Sequence, residues 1–354
     1  MTMKNSLCVS LALCVACGGD DSSGDEAGDG TTDASTTDAP TTDAPTTDAP
    51  TTDAPTTDTD ASSDGGDSTG EAIVPTVVET SPADGERGVP EDATITIQFS
   101  TAMDKAATQA AYQSASLPSG AVTFAWNDAG DVLTITPNDP LAYAVGGDPI
   151  LLEPQSYDFT LTTAAQAEDG TTLAEDVLVS FSTLRRLEQV LERDVASSGN
   201  VDADGAVGSN FFGDRNTDEP VRWAVSFDLT QLAPDVAAVE LALFRASWTM
   251  QSGNPWAGLG GGVVFQHVAF DALDDAFDAP VTGDAGGLFG GVGDVDVERD
   301  AAAPLTAALA DPATYHDALQ LRARWIFDTD DDGAYDSISL VPDDLELAVT
   351  YLAP

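Results

Sequence analysis

From about Ile73 onward the sequence alternates apolar and polar residues with a period of two, and this alternation constrains the fold more than any other feature. Successive side chains of a strand point to opposite faces, so each such run offers one apolar face for burial and one polar face for water. The runs are Thr94 to Phe99, Val132 to Thr136, Tyr157 to Leu161 and Val177 to Phe181, then Trp223 to Leu229, Val239 to Phe244, Val263 to Val268, Leu319 to Trp325 and Leu345 to Tyr351. Turn clusters such as Ser81-Pro82-Ala83-Asp84-Gly85 and Asp169-Gly170 separate them, and in the second half only Ala301 to Leu309 reads as a short helix. The expectation is an all-β chain of packed sandwiches, and at 354 residues there is length for about two domains.

Before Ile73 the pattern is absent. From Gly18 to Glu71 there is almost nothing that can form a core, and a five-residue unit recurs at Thr41-Thr42-Asp43-Ala44-Pro45, Thr46 to Pro50 and Thr51 to Pro55. Thr, Asp and Pro cannot offset chain entropy by burial, so residues 17–72 are expected to be a disordered stalk, kept extended by proline and by like charge. Fully polyproline-like, some 50 residues reach on the order of 150 Å at about 3.1 Å each. Gly66-Asp67-Ser68-Thr69-Gly70 matches the pattern of a hydrolase nucleophile elbow, but that motif needs a strand before it and a helix after it.

At the N-terminus Lys4 precedes an apolar run from Leu7 to Ala16, which is too short to span a bilayer as a helix and reads as a signal-peptide core. Cys14-Val15-Ala16-Cys17 resembles a bacterial lipobox, departing from it by having Cys14 where leucine is usual. The resemblance implies that residues 1–16 are removed and that Cys17 receives diacylglycerol and an amide-linked acyl chain of the palmitate class. Several chains anchor stably where one is marginal. The expected location is the outer membrane or surface of a Gram-negative bacterium, with an ordinary secretory signal cut near the same place as the alternative.

Residues 73–186 resemble the bacterial Ig-like domain of S-layer and other surface proteins. The landmarks run in that family's order: Ser81 to Gly85 with Val89-Pro90, Ile97 to Ser100 with Met103-Asp104, Leu133 to Pro137, Tyr157 to Leu161, Asp169-Gly170 and Phe181 to Thr183. This implies a spacer or adhesion module without an active site. Residues 187–354 are expected to form a jelly-roll-type β-sandwich. Arg222 through Leu229, the strand with Leu241 and Leu243, and the closing Leu347 to Tyr351 are similar to DNRLRE-type and related carbohydrate-binding-like modules.

Charge narrows the partners. Lys plus Arg number 12 against 61 Asp plus Glu, a net charge of −49, with lysine only at positions 4 and 105. Nucleic-acid binding needs cations to displace counterions from phosphates, so it is excluded as a function. Such acidity favours solubility and attracts divalent cations. All three cysteines, Cys8, Cys14 and Cys17, lie in the first seventeen residues, so the body holds no disulfide.

One motif carries ion chemistry. Asp328-Thr329-Asp330-Asp331-Asp332-Gly333-Ala334-Tyr335-Asp336 fits D-x-D-x-D-G-x-x-D, in which Asp328, Asp330, Asp332 and Asp336 converge on one calcium and Gly333 allows the sharp turn. Ser339 stands where an EF-hand has its bidentate Glu, and no helices flank the loop, so the choice is between an extracellular-type calcium loop and a bare polar hairpin. Asn200-Val201-Asp202-Ala203-Asp204-Gly205 repeats the first six positions without a ninth carboxylate. His267 and His316 lack zinc spacing. Trp248, Trp256 and Trp325 suit either a sugar-stacking platform or a core, and the Gly258 to Gly262 and Gly290 to Gly293 runs lack dinucleotide-loop spacing.

Two functions are consistent with this pattern: a non-enzymatic lipoprotein whose modules serve adhesion or envelope interaction with a surface protein, or a carbohydrate-binding lipoprotein module, calcium-dependent if the Asp loop is filled. Limited proteolysis checks the organisation. Early cuts are expected between about residues 20 and 72, leaving a resistant fragment beginning near Ile73, because only the alternating segments have burial to protect them. Early cleavage spread evenly through residues 73–354 contradicts it.

Overall fold

The computed structural model describes residues 73–208 and 211–354, and backbone only at 284 and 285. Cys17, residues 1–16 and the repeats up to residue 72 lie outside the described residues. Among the described residues no helix is long and apolar enough to cross a membrane.

The first module is built from β1 (Val77–Ser81), β2 (Glu86–Val89), β3 (Ile95–Phe99), β4 (Tyr112–Gln113), β5 (Val122–Trp126), β6 (Val132–Pro137), β7 (Ala144–Gly146), β8 (Ser156–Leu161) and β9 (Val177–Thr183). Two four-stranded sheets, ordered β1-β3-β6-β5 and β2-β9-β8-β4, face each other. The alternation explains the core directly: Ile95, Ile97 and Phe99 point inward from β3, Leu133 and Ile135 from β6, Phe159 and Leu161 from β8, and all are buried. Asp104 starts the α-helix of this module, Lys105–Ala110, by accepting the Ala107 amide at 2.9 Å, which satisfies one of the helix's free N–H groups.

The second module comprises β10 (Arg185–Glu192), β11 (Gly199–Asp202), β12 (Gly205–Ala206), β13 (Phe211–Asp214), β14 (Pro220–Asp228), β15 (Ala238–Ser252), β16 (Val263–Val268), β17 (Val281–Phe289), β18 (Asp296–Asp300), β19 (Ala318–Trp325), β20 (Asp336–Leu340) and β21 (Glu346–Ala353). They form one continuous sheet, β17-β16-β19-β14-β13-β20-β15-β21-β10-β7, with β11 beside β14 and β18 beside β15. The sheet folds back on itself. Phe227 of β14 and Phe265 of β16 meet Phe244 of β15, with ring centroids 5.9 and 4.8 Å away, so the β14/β16/β19 layer packs on the β15/β21/β10 layer. The expected helix is present at Ala302–Ala310, burying Leu305 and Ala308 against this core.

The two modules are joined without a linker. Leu184, between β9 and β10, is buried, and β7 of the first module pairs in parallel with the start of β10. Arg185 donates from Nη1 to the carbonyls of Pro149 (2.7 Å) and Leu152 (3.1 Å) and from Nε to that of Pro354 (2.9 Å). The Arg186 guanidinium lies 5.5 Å from the Tyr143 ring centroid and pairs with Glu240 at 2.7 Å.

His267 sits in β16 as a core side chain, stacked on Tyr315 at 4.6 Å, and its Nε2 has no hydrogen-bond partner. Burial pushes its pKa down to about 4, against about 6.5 for an imidazole in water. Below that ordinary value the unfolded chain takes up a proton that the native protein refuses, so the neutral ring's contribution is whole above about pH 6.5 and is lost as pH falls toward 4. The ceiling on this loss is on the order of 3 kcal/mol. Denaturant midpoints at pH 6.5 and 4.5 should therefore fall further for the wild type than for His267→Phe, which keeps the stack and cannot titrate; equal falls contradict this.

Candidate metal centre

The loop from β19 to β20 begins and ends on strands that have two others between them. β19 pairs with β14, β14 with β13 and β13 with β20, so the acidic segment arches over the β13–β14 hairpin instead of closing a hairpin of its own. The segment is therefore not a two-stranded hairpin, with or without an ion: no β19–β20 pairing exists among the described residues. The arch carries its own turns, with Asp330 Oδ1 accepting the Asp332 amide (3.4 Å) and Asp332 Oδ1 accepting the Ala334 amide (2.7 Å). It is tied down where the Gly333 amide donates to Asp218 Oδ1 at 2.9 Å, Asp218 lying in the β13–β14 turn with φ +59°.

Beneath the arch, Asp214 of β13 stands directly opposite Asp336 of β20. Asp214 is fully enclosed and Asp336 is 3% exposed. Like charges at facing positions destabilise a ladder, and enclosed carboxylates need donors or cations. Asp336 has one, its Oδ1 accepting the Asn254 amide. The Asp336 amide donates to Asp214 Oδ1 at 3.0 Å, but Asp214 Oδ2 is buried without a hydrogen bond. Burial is the main cause that pushes the Asp214 carboxyl above the ordinary carboxylate range; nearby amides of Asp336 and Asp330 and the Thr329 hydroxyl act against it, and the Asp330 charge adds to it. Asp330 is also raised, by desolvation first and then by the Asp332 charge.

These carboxylates converge. One oxygen each from Asp214, Asp218 and Asp330 lie within 4.8 Å of one another, and so do oxygens from Asp330, Asp332 and Asp336. Of the four loop residues expected to act together, Asp330, Asp332 and Asp336 meet. Asp328 is drawn instead to Arg222, whose Nη2 lies 2.9 Å from its Oδ2 and whose guanidinium also covers the Phe277 ring at 4.1 Å. Sequence spacing missed Asp214 and Asp218, because their approach depends on β13 pairing with β20 across more than a hundred residues; the Gly213-Asp214 step and the short Arg215 to Glu219 turn are the local traces of it.

Glycines make the close packing feasible. Gly213 has φ +150°, and a Cβ there would lie 2.0 Å from the Asp336 carbonyl oxygen. Gly253, at φ +66°, would place a Cβ 2.0 Å from the Tyr335 carbonyl oxygen. The Asp330 carboxylate rests against Gly258, so the β15–β16 connection forms a third wall.

The remaining motifs are structural. In the Asn200 to Gly205 segment, Asp202 pairs with Arg215 at 2.7 Å. Trp248 and Trp325 are buried and Trp256 packs between them, with centroids 5.7 and 4.9 Å away, so the three form a core cluster and not a sugar platform. His316 occupies a left-handed turn, with Nε2 2.9 Å from Asp271.

Residues 71–183 match the model of the bacterial Ig-like domain family, in agreement with the sheets of the first module; the match covers about a third of the chain. No curated protein matches the sequence. Among solved structures, native alpha-2-macroglobulin from Escherichia coli spanning domains MG0-NIE-MG1 is 14% identical, over 50% of this chain and 46% of that one, with a TM-score of 0.22. An L,D-transpeptidase from Mycobacterium smegmatis is 16% identical over 62% and 79%, with a TM-score of 0.22. The S-layer protein rSbsC is 10% identical over 60% and 31%, with a TM-score of 0.20. This chain spans less than half the length of the first of them.

Gly213→Ala tests the packing under the arch. The added methyl meets backbone, which cannot swing aside, so a loss of about 3 kcal/mol or more is expected in denaturant unfolding, while Gly293→Ala, with open space at its Cβ, stays within about 1 kcal/mol. Equal stability of the two variants contradicts the geometry.

Proposed function

We propose that this chain is a non-enzymatic, lipid-anchored envelope protein that presents two joined β-sandwich modules at the bacterial surface for adhesion or envelope interaction. The observation that carries the reading is the Ig-like module at residues 71–183 running into a second sandwich through one buried residue, Leu184. A joint without a flexible linker suits a protein that projects a binding surface. Cys17 supplies the anchor and the Thr/Asp/Pro repeats supply reach.

A cleft of about 570 Å³ supports a second reading, glycan binding. Arg193, Asp194, Ser197, Asp271, His316 and Gln320 line it, a donor and acceptor set suited to hydroxyl groups. In this reading the second module retains the lipoprotein on polysaccharide.

The anchor is tested by Cys17→Ser. The wild type should fractionate with membranes and incorporate a labelled fatty acid, and the variant should be soluble and unlabelled; a variant still in the membrane fraction removes the lipoprotein reading. A glycan array probed with the soluble form separates the two uses of the surface: saturable binding abolished by Arg193→Ala selects the glycan reading, and no binding leaves protein or envelope contact.

A further inference from the structure

We propose that Asp214, Asp218 and Asp330 hold a calcium ion, with Asp332 and Asp336 as flanking carboxylates, and that this ion pins the β19–β20 arch onto the β13–β14 hairpin. Calcium binds oxygen ligands at about 2.4 Å, so ligands on opposite sides of one ion lie about 4.8 Å apart. The oxygens of Asp214, Asp218 and Asp330 fall within that span.

Proximity of acidic groups alone proves little in a chain with 61 of them. The second observation is Asp214. The carboxylate that reaches Asp218 and Asp330 is fully enclosed, and no donor meets its Oδ2 in hydrogen-bonding geometry, the Asp330 amide and Thr329 hydroxyl lying near the carboxyl without closing a bond to that oxygen, although buried acceptors in folded proteins nearly always have a partner. A cation at the meeting point supplies that partner. It also accounts for Asp214 facing Asp336 across adjacent strands, an arrangement that repels without a countercharge. Neither Arg215 nor Arg222 fills the role: Arg215, next to Asp214 in sequence, pairs with Asp202 at 2.7 Å and Glu219 at 3.2 Å, and Arg222 is taken by Asp328, by the Phe277 carbonyl at 2.6 Å and by the Phe277 ring.

The chemistry selects the ion. Every side chain in the two groups offers a carboxylate oxygen, and neither a histidine nor a cysteine is among them, which disfavours zinc. The ligands come from a hairpin turn, a strand and a loop, an irregular set that suits the variable coordination of calcium better than the near-octahedral demand of magnesium. Asp330 belongs to both groups and is the central ligand. Asp328, first residue of the D-x-D-x-D-G pattern, is outside the site.

The test is calorimetric unfolding and calcium titration of the purified full chain in calcium, in magnesium and in chelator, with Asp214→Asn, Asp218→Asn, Asp330→Asn and Asp328→Asn. Wild type should bind calcium, with the Tm of the second module rising by about 5–10 °C at a hundredfold excess over Kd, and magnesium should do much less. Asp218→Asn and Asp330→Asn should weaken calcium binding at least tenfold, and Asp328→Asn should leave it within about threefold. Asp214→Asn should lose the calcium increment yet unfold in chelator at a temperature equal to or above wild type, because a neutral amide relieves the enclosed charge. That opposite sign separates a ligand from a residue that is merely structural. The proposal fails if wild type shows no calcium-dependent shift, if magnesium serves equally, or if Asp328→Asn abolishes binding while Asp218→Asn keeps it.

Discussion

Fifteen residues of unbroken strand, Ala238–Ser252, hold the second module together. The first part of β15 pairs with β21 and β18, and the last part, from Trp248 to Ser252, pairs with β20. Irregularities in register near Val239 and near Trp248 let the strand turn as it passes from one set of partners to the other. The inward face of the strand carries Phe244, the ring through which the two layers meet. One end of β15 therefore lies at the junction with the Ig-like module, where Ala238 pairs with Leu352, and the other end lies at the acidic arch, where Ser252 pairs with Ser337. The joint and the candidate site are consequently opposite ends of one element.

Cations are scarce in this chain, and two arginines of the second module, Arg222 and Arg322, are largely spent on its own backbone. Arg322, 4% exposed, donates to the carbonyls of Ala276, Phe277 and Ala279 at 2.7 to 3.1 Å and to Gln266, while Arg222 adds a second bond to Phe277. Together they fix the 276–279 loop that would otherwise present unpaired carbonyls. Burial lowers Arg322 to about 10, with Arg222 and Arg324 contributing, so it remains charged at neutral pH. Because Arg322 is committed to carbonyls and Arg222 to the Phe277 carbonyl and to Asp328, neither is available to neutralise Asp214 and Asp336 under the arch.

The strands were legible because one buried face imposes a period of two. Thr94 to Phe99, Val132 to Thr136 and Leu345 to Tyr351 are strands where the alternation placed them, and the Ala301 to Leu309 helix is displaced by one residue. β7 and β13 were not legible: three and four residues long, they carry too few positions to show a period and are held by partners remote in sequence. The same limit governs the site. Asp330, Asp332 and Asp336 are local and readable as a spaced motif, whereas Asp214 enters through strand pairing and Asp328 leaves through an arginine more than a hundred residues away. Spacing within a loop says which carboxylates can approach one another, and tertiary pairing decides which do.

The position of β21 governs the order in which this protein can be assembled. It lies between β10 and β15, and the Arg185 contact with Pro354 at its end joins residues 169 apart. Strand β10 cannot be paired on that side, nor the core beneath it closed, until nearly the whole second module has been made. Closure of so long a loop comes late and slowly. The two layers of the second module therefore close only when β21 slots between β10 and β15, so the central strand of that layer is also the one that joins it last.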